Sequence, residues 1–287
     1  MMRIARVAAH AGLSAAVSVG VLGTAVMAAA QEVTGKPIPG GMGLQRGVTP
    51  IAREMQWMDN FLLVIITLIV IFVTALLAYT VWRFRASNNP NPPQRFTHNA
   101  KLEVIWTAIP VLILVIIAVP SLRLLFNQLD IPEPDVTIKA TGYQWFWGFE
   151  YPEHGIDFVA YMLEKEDLAE YGYNEDEYLL ATDNRVVVPV NANVHVLTTG
   201  ADVIHNFALP AFGLKIDAIP GRLNETWFRA EEEGIYFGQC SELCGINHAY
   251  MPITIEVVSQ EKYDAWVAEQ VAMRRGEVDV AENQTAE

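Results

Sequence analysis

Two cysteines, a histidine and a methionine lie close together near the end of the chain, in the stretch GQCSELCGINHAYMP. They are Cys240, Cys244, His248 and Met251, and a second histidine, His205, ends the strand-like segment further upstream. Thiolate and thioether sulfurs are soft ligands that suit copper, and imidazole suits copper as well. A disulfide between the two thiols is the alternative, but it leaves the histidine and the methionine of the loop without a role. The pattern therefore indicates a copper site.

The number of thiols bears on the number of metal ions. One cysteine with two histidines and a methionine is the usual ligand set of a single blue-copper ion, and this chain has one thiolate more. Two bridging thiolates would hold two copper ions, with one histidine on each and with Met251 and a backbone carbonyl as weak outer ligands. The loop contains no further cysteine or acid pair that would indicate structural zinc. Such a site exchanges electrons and has no open position for a substrate.

Strands must position these ligands, because the segments around them are short and rich in β-branched residues. VTIKATG, RVVVPVNANVHVLTTG, ETWFRA and ITIEVV have strand length and are separated by Gly, Pro and Asn. Several such strands predict a β-sandwich. A helical insertion is predicted in LEKEDLAEYGYNEDEYLL and a terminal helix in EKYDAWVAEQVAMRR.

Two earlier segments, residues 61–82 and 104–122, carry no charge and are long enough to cross a hydrocarbon core of about 30 Å. The connection between them contains four basic residues, Arg83, Arg85, Arg95 and Lys101, and no acid before Glu103. By the positive-inside rule this connection is cytoplasmic, so both ends of the hairpin face the outer side of the membrane.

Residues 1–30 resemble a signal peptide, with a basic start, an apolar run and small residues before Gln31. A third membrane helix is the alternative, although glycines and serines interrupt the run. Export agrees with the orientation of the hairpin. The chain thus divides into a signal peptide (1–30), an N-terminal segment with the transmembrane hairpin (31–130), a β-domain (131–258) and a C-terminal helix with an acidic tail (259–287).

The formal net charge is −14, and the acids are concentrated between Glu150 and Asp183, where eleven acids accompany one lysine. A solvated surface is the plain interpretation. In an exported domain tethered to a membrane, this charge would also attract a basic soluble partner. It disfavours binding to nucleic acid. The chain has no C-x-x-C-H motif for attaching haem.

Four stretches resemble one family: RFTHNAKLEVIWTAIPVLIL, TGYQWFWGFEYP, ADVIHNFALPAFGLKIDAIPGR and YFGQCSELCGINHAYMPI. With them the chain resembles subunit II of bacterial, mitochondrial-type haem–copper cytochrome c oxidases. The resemblance implies a membrane-anchored α+β protein, in which a two-helix transmembrane hairpin precedes a cupredoxin-like β-sandwich or barrel. It implies a two-pass protein of the bacterial inner membrane, with both termini periplasmic. The residues that match the ligands of its dinuclear copper centre are His205, Cys240, Glu242, Cys244, His248 and Met251.

The resemblance also implies functional roles for three residues, although the sequence around each of them has a simpler structural interpretation. Glu242 matches a residue that ligates copper through its backbone carbonyl and binds magnesium, shared with subunit I, through its carboxylate. Trp145 matches the residue at which electrons enter, although its aromatic run YQWFWGFEY also fits a sheet core. Glu103 matches a carboxylate at the mouth of a proton pathway, although an acid at a helix start is common.

Docking of cytochrome c would use Trp145 within a rim of acids. The candidate acids are Glu150, Asp157, Asp183 and Asp202. The family often has an acid at the position of Val159, so Asp157 is the candidate substitute. The expected partners are cytochrome c, oxidase subunits I and III, and the membrane.

The function implied is electron entry: the chain accepts electrons from reduced cytochrome c and passes them to haem in subunit I, where oxygen is reduced and protons are pumped. Three alternatives belong to other classes. A membrane-tethered copper metallochaperone would not need His248, Met251 or the hairpin. A quinol oxidase subunit of this fold would lack the copper ligands, and a purely structural assembly subunit would leave them unexplained.

Overall fold

A computed structural model describes residues 35–89 and 96–285. The predicted signal peptide, residues 1–30, lies outside the described residues. Two long helices come first, α1 (Pro50–Phe84) and α2 (Ala100–Leu129). Both are long and apolar enough to cross a membrane, and both extend past the predicted spans at each end. Thr49 caps α1 by accepting a hydrogen bond from Ala52 N, and Asn99 caps α2 in the same way.

Within the described residues, ten strands follow and form two five-stranded sheets. The first sheet has the order β3-β2-β1-β5-β8 and the second β4-β10-β9-β6-β7. The strands are β1 (Val136–Tyr143), β2 (Phe146–Tyr151), β3 (Ile156–Ala160), β4 (Val186–Pro189), β5 (Val194–Gly200), β6 (His205–Leu209), β7 (Leu214–Ala218), β8 (Asn224–Phe228), β9 (Gly234–Cys240) and β10 (Pro252–Val258).

The core lies between the sheets, where alternate side chains of each strand are buried. In β2, Trp147 and Phe149 are buried while Gly148 between them is partly exposed. Both rings meet Phe207 of the second sheet edge to face, with ring centroids 5.5 and 6.5 Å apart. The predicted β-sandwich is therefore present, with its aromatic run divided between core and surface.

The predicted helical insertion did not form. The segment after β3 is a series of turns with a single 3-10 turn at Glu175–Glu177. Leu168 and Tyr173 instead join a buried cluster that includes Phe237 of β9. The backbone is left-handed at Gly172 and Leu179 (φ 78° and 71°), which interrupts any regular helix. The side chains of Leu168 and Tyr173 can then both reach that cluster.

The C-terminal helix α3 (Gln260–Thr285) extends beyond the predicted end of that helix. Its Trp266 packs against Tyr151 and Phe158, at ring-centroid distances of 5.2 and 6.5 Å. This contact holds the helix against the β2–β3 hairpin.

The start of α1 is attached to the β-domain. Val48 N donates to the carbonyl of Ala211 at 3.0 Å, and Thr49 Oγ1 donates to the carbonyl of Phe212 at 2.8 Å. Both Val48 and Thr49 are buried. The membrane hairpin and the β-domain are thus joined by buried hydrogen bonds in addition to the connecting chain.

Candidate metal centre

The candidate ligands come from separate parts of the chain that the second sheet brings to one end. His205 begins β6 and Cys240 ends β9, and the two strands run antiparallel, so both residues lie at the same end of the sheet. The loop after β9 then turns back before β10 begins. This return brings Cys244, His248 and Met251 against the other two.

The donor atoms of these five residues lie close together. The Sγ atom of Cys240 is 3.8 Å from Sγ of Cys244 and 3.9 Å from Nδ1 of His205. The Sγ atom of Cys244 is 3.5 Å from Nδ1 of His248 and 3.5 Å from Sδ of Met251. Each imidazole therefore faces a different thiol. The two thiols are free, so the disulfide alternative is not adopted in this structure.

Burial and neighbouring groups set the protonation of the two thiols. Burial would raise the pKa of Cys240, but the hydrogen bond with the His205 ring and hydrogen bonds with nearby backbone lower it to about 7. Burial raises the pKa of Cys244 to about 12, and the charge of the adjacent Cys240 adds to this rise. Two adjacent thiolates repel each other in a buried site, so a bound cation is needed to hold both deprotonated.

The donor set fits copper. The ligand atoms of His205, Cys240 and Cys244 lie within 4.8 Å of one another, and all three residues are buried. Two sulfurs and an imidazole nitrogen are soft or borderline ligands, and Met251 adds a buried thioether beside Cys244. These residues can form a copper site.

Two glycines allow other segments to approach the ligands closely. Gly142, the residue before the last of β1, lies beside the His205 ring, and a Cβ atom there would lie 2.7 Å from ring carbons. Gly245, in the ligand loop, has φ +126°, where side chains are strained, and its Cβ would lie 3.0 Å from Cζ2 of Trp145. A larger residue at either position would displace a ring.

A hydrogen-bonded network connects the ligands to the turn between β1 and β2. Asp202 Oδ1 accepts from Nε2 of His205 at 2.8 Å, and its Oδ2 accepts from the backbone N of Gln144 at 2.8 Å. The side chains of Gln144 and Trp145 both donate to the carbonyl of Cys244, at 2.8 and 3.3 Å. The network therefore contacts one candidate ligand from each facing pair, His205 of the Cys240–His205 pair and Cys244 of the Cys244–His248 pair.

Comparison with known proteins identifies the family. The models for the transmembrane domain and the periplasmic domain of cytochrome c oxidase subunit II match residues 37–124 and 136–258. Subunit 2 of Cereibacter sphaeroides is 54% identical, over 86% of this chain and 87% of that protein. The chain belongs to the cytochrome c oxidase subunit II family. Subunit 2 of Arabidopsis thaliana is 41% identical, over 83% of this chain and 93% of that protein.

A solved structure is also similar to part of this subunit II. The periplasmic domain of cytochrome oxidase subunit II from Bradyrhizobium japonicum is 52% identical and covers 49% of this chain and 96% of its own, with a TM-score of 0.44. Family membership makes the chain a subunit of a haem–copper terminal oxidase, anchored by membrane-spanning helices. The predicted family and fold class are confirmed.

The backbone carbonyl and the side chain of Glu242 of this subunit II have different surroundings. Its backbone carbonyl lies 3.3 Å from Sγ of Cys240, on the ligand side of the loop. Its side chain is exposed, as are those of Leu243 and Ile246. The carbonyl is therefore close to the ligand cluster, whereas the carboxylate is accessible from outside it.

Trp145 and Asp202 lie on either side of Gln144 in the hydrogen-bonded network. Trp145 is half-buried, because its indole lies against Gly245 and the Cys244 carbonyl. Asp202 belongs to the same surface region and is partly exposed. These two predicted residues are brought together.

The other predicted docking acids lie apart from that turn. Glu150 and Asp157 face each other across the β2–β3 hairpin, and Glu150 is about 16 Å along an extended strand from Trp145. Glu150 pairs with Lys139 at 2.7 Å, and Asp157 pairs with Arg274 of α3.

Asp183 and Val159 lie near the other end of β3. A carboxylate oxygen of Asp183 accepts from the backbone N of Tyr161 and of Asn184, each at 2.7 Å. Val159 is 39% exposed, so an apolar side chain faces solvent where the family often has an acid.

Glu103 lies in the first turn of α2, at the end of the hairpin remote from the β-domain. Its Oε1 accepts from the backbone N of Asn99 at 3.3 Å, while the Asn99 side chain accepts from Leu102 N at 3.2 Å. This reciprocal capping gives Glu103 a structural role at the helix start.

Sequence reasoning missed the residues that support the ligands. The charge of Asp202 indicates only a docking acid, although its i, i+3 spacing from His205 in ADVIH is a usable signal. Gln144 and Gly142 carried no signal, because their partners are far away along the chain.

Proposed function

We propose that this subunit II accepts electrons from reduced cytochrome c on a dinuclear copper centre and delivers them to haem in subunit I. There oxygen is reduced to water and protons are pumped. The observation that carries the proposal is the convergence of two buried free thiols, two imidazoles and a thioether, with neighbouring donor atoms 3.5–3.9 Å apart.

Two ions are favoured over one by the pairing of donors. His205 faces Cys240, and His248 with Met251 faces Cys244, so the ligands form two groups around a shared pair of sulfurs. The Glu242 carbonyl lies beside Cys240 and completes the first group. A copper pair held here would supply reversible one-electron oxidation and reduction. The ligand residues supply a buried pocket that changes little between the two states.

Trp145 is the proposed point of electron entry. Its indole N–H donates directly to the carbonyl of Cys244, so one hydrogen bond separates the aromatic ring from the backbone of a ligand. Gln144 holds the same carbonyl and is exposed, which leaves this turn accessible to a soluble donor.

The acids would attract a basic cytochrome c to this face. Asp202 lies nearest to the entry residue, and Asp183 lies beyond the end of β3. Glu150 and Asp157 lie further away and already hold cationic partners, so we propose that they act through long-range attraction only.

The exposed carboxylate of Glu242 would bind magnesium together with subunit I. A carboxylate is the hard oxygen ligand that Mg²⁺ prefers, and Mg²⁺ keeps several waters in its shell. The exposed apolar side chains of Leu243 and Ile246 flank Glu242 and suit burial by another subunit, with subunit III as a further expected partner.

For the membrane arrangement, we propose a two-pass protein of the bacterial inner membrane with both termini periplasmic. The basic residues Arg83, Arg85 and Lys101 support a cytoplasmic connection between α1 and α2. Glu103 would then lie at the cytoplasmic entrance of a proton pathway. The proposed division remains a signal peptide (1–30), an N-terminal segment and hairpin (31–130), a copper domain (131–258) and a C-terminal helix and tail (259–287).

The experiment that tests the proposal is metal analysis of the purified oxidase combined with electron paramagnetic resonance. We expect two copper ions per chain in addition to those of the haem-containing subunit, and a signal from one unpaired electron shared by both. Rapid mixing with reduced cytochrome c should reduce this signal before the haems. A single copper ion per chain, or a signal that stays unchanged while haem is reduced, would exclude the proposal.

A further inference from the structure

A cavity of ≈ 570 Å³ opens between the two membrane helices, at the end of the hairpin next to the β-domain. One end of the cavity is lined by two charged residues, Glu54 of α1 and Arg123 of α2. The other end is apolar and includes Phe61 of α1 and Ile116 of α2. Its size lies within the roughly 300–1,000 Å³ typical of small-ligand pockets.

The uncharged spans, taken as the part of the helices within the hydrocarbon, put the cavity across the boundary between hydrocarbon and headgroups. Phe61 and Ile116 belong to the uncharged spans, whereas Arg123 follows the second span directly. Glu54 precedes Phe61 by seven helical residues, which corresponds to about 10 Å along the helix axis. A molecule filling this cavity would therefore have a polar part at headgroup depth and an apolar part within the membrane.

The two charges at the polar end come from different helices. Glu54 Oε2 accepts a hydrogen bond from Asn127 Nδ2 at 2.9 Å, which orients the carboxylate without neutralising it. Arg123 is exposed and forms no ion pair or hydrogen bond within residues 35–89 and 96–285. One anion and one cation thus face a common cavity.

This arrangement is complementary to a zwitterionic headgroup that carries N–H donors. A guanidinium binds phosphate through paired N–H groups, and a carboxylate binds an ammonium ion through charge-assisted hydrogen bonds. We propose that the cavity binds one phosphatidylethanolamine molecule, with its phosphate on Arg123 and its ammonium group on Glu54. Phosphatidylglycerol has no cationic group for Glu54, and the trimethylated headgroup of phosphatidylcholine has no N–H to donate.

The apolar walls suit an acyl chain. Trp57 and Phe61, one turn apart on α1, stack with centroids 5.4 Å apart and planes within 7° of parallel, which gives a flat aromatic surface. Across the cavity, Pro120 lies within α2 and has no N–H to donate to the Ile116 carbonyl, so the helix lacks one backbone hydrogen bond there. Trp57 is 57% exposed, in keeping with the preference of tryptophan for the membrane interface.

The test uses the complete oxidase in detergent, with a phosphatidylethanolamine that carries a photoactivatable group in its acyl chain. We expect cross-links on the peptides that contain Phe61 and Ile116, and competition by unlabelled phosphatidylethanolamine that is about fivefold stronger than by phosphatidylglycerol or phosphatidylcholine. Equal competition by all three lipids would show that the cavity contacts lipid without selecting a headgroup, and would overturn the proposal.

Variants sharpen the test. Arg123→Gln should lose labelling about fivefold. Glu54→Gln should instead remove the discrimination, so that phosphatidylglycerol competes as well as phosphatidylethanolamine. Arg83→Gln, at the far end of α1, is the control and should label normally. Haem and copper content report whether each variant assembles. A photoreactive amino acid at Trp57 that attaches to another oxidase subunit, and not to lipid, would show that protein fills the cavity.

Discussion

The carboxylate of Asp202 lies 2.8 Å from Nε2 of His205, the ring nitrogen that faces away from the two thiols. An ionised carboxylate can accept hydrogen bonds but cannot donate them. This contact therefore assigns the proton to Nε2 of His205 and leaves Nδ1 directed at the metal site. Hydrogen bonds of this kind orient an imidazole ligand and increase its basicity. Asp202 thus connects the proposed docking surface to a copper ligand.

The first prediction follows from that contact. Asp202→Asn should lower copper affinity by about 10-fold or more, and it should alter the absorption spectrum of the centre, because an amide is a weaker acceptor for the imidazole N–H. Copper titration and spectroscopy of the purified oxidase measure both effects. Asp183→Asn is the matched control, since its carboxylate contacts backbone N–H groups and no ligand. Equal spectra for the two variants would count against the positioning role.

The second prediction concerns the thiols. Cys240→Ser and Cys244→Ser should each abolish the two-copper signal and electron entry, because a serine hydroxyl is a poor ligand for a soft metal. Copper per chain and paramagnetic resonance are the measurements. Isolation of the native protein with a Cys240–Cys244 disulfide and full copper content would refute the assignment.

The third prediction separates electron entry from copper binding. Trp145→Ala should retain copper but slow electron transfer from cytochrome c severely, because tunnelling falls steeply with distance. Trp145→Phe should recover part of the rate, since it restores a ring but not the N–H bond to the Cys244 carbonyl. Stopped-flow kinetics at saturating cytochrome c give the rates. Phe146→Leu, which alters the neighbouring ring stacked on Tyr143, is the control and should have a much smaller effect.

The fourth prediction uses the two groups of Glu242. Glu242→Ala should keep both copper ions, because any residue supplies the backbone carbonyl, but it should lose or greatly weaken magnesium binding. Manganese substituted for magnesium provides a paramagnetic probe of this site in the purified complex. Electron transfer from the copper centre to haem should also slow. An unaltered manganese signal in the variant would show that the carboxylate is not a ligand.

The fifth prediction concerns the packing of Gly142 against the ring of the candidate ligand His205. Gly142→Ala should destabilise the β-domain by about 1–3 kcal/mol, because its Cβ would lie 2.7 Å from buried His205 ring carbons. It should also lower copper affinity, as the ring must move. Denaturant unfolding and copper titration measure the two effects. Gly148→Ala is the control, because its nearest contact is the edge of the Tyr143 ring at 3.1 Å, and it should cost less.

Much of this protein was determined by the sequence alone, because the signals are local. The charge-free spans of residues 61–82 and 104–122 predicted the membrane helices, and α1 and α2 contain them. Alternating β-branched segments predicted the sandwich. The types and spacing of Cys240, Cys244 and His248 predicted a soft-metal site, since ligand chemistry depends on residue type and loop spacing limits the reach of each side chain.

Only the tertiary structure decided which distant residues meet. Pairing of β6 with β9 brings His205 to Cys240, and the β1–β2 turn brings Gln144 and Trp145 to the carbonyl of Cys244. The segment after β3 looked helical, yet packing of its side chains on β9 favoured turns. Such contacts join residues far apart in sequence, and their free energy depends on the pairing of whole strands. Residue types therefore suggested His205 as a ligand, but local pattern could not establish which strands pair to bring it to Cys240.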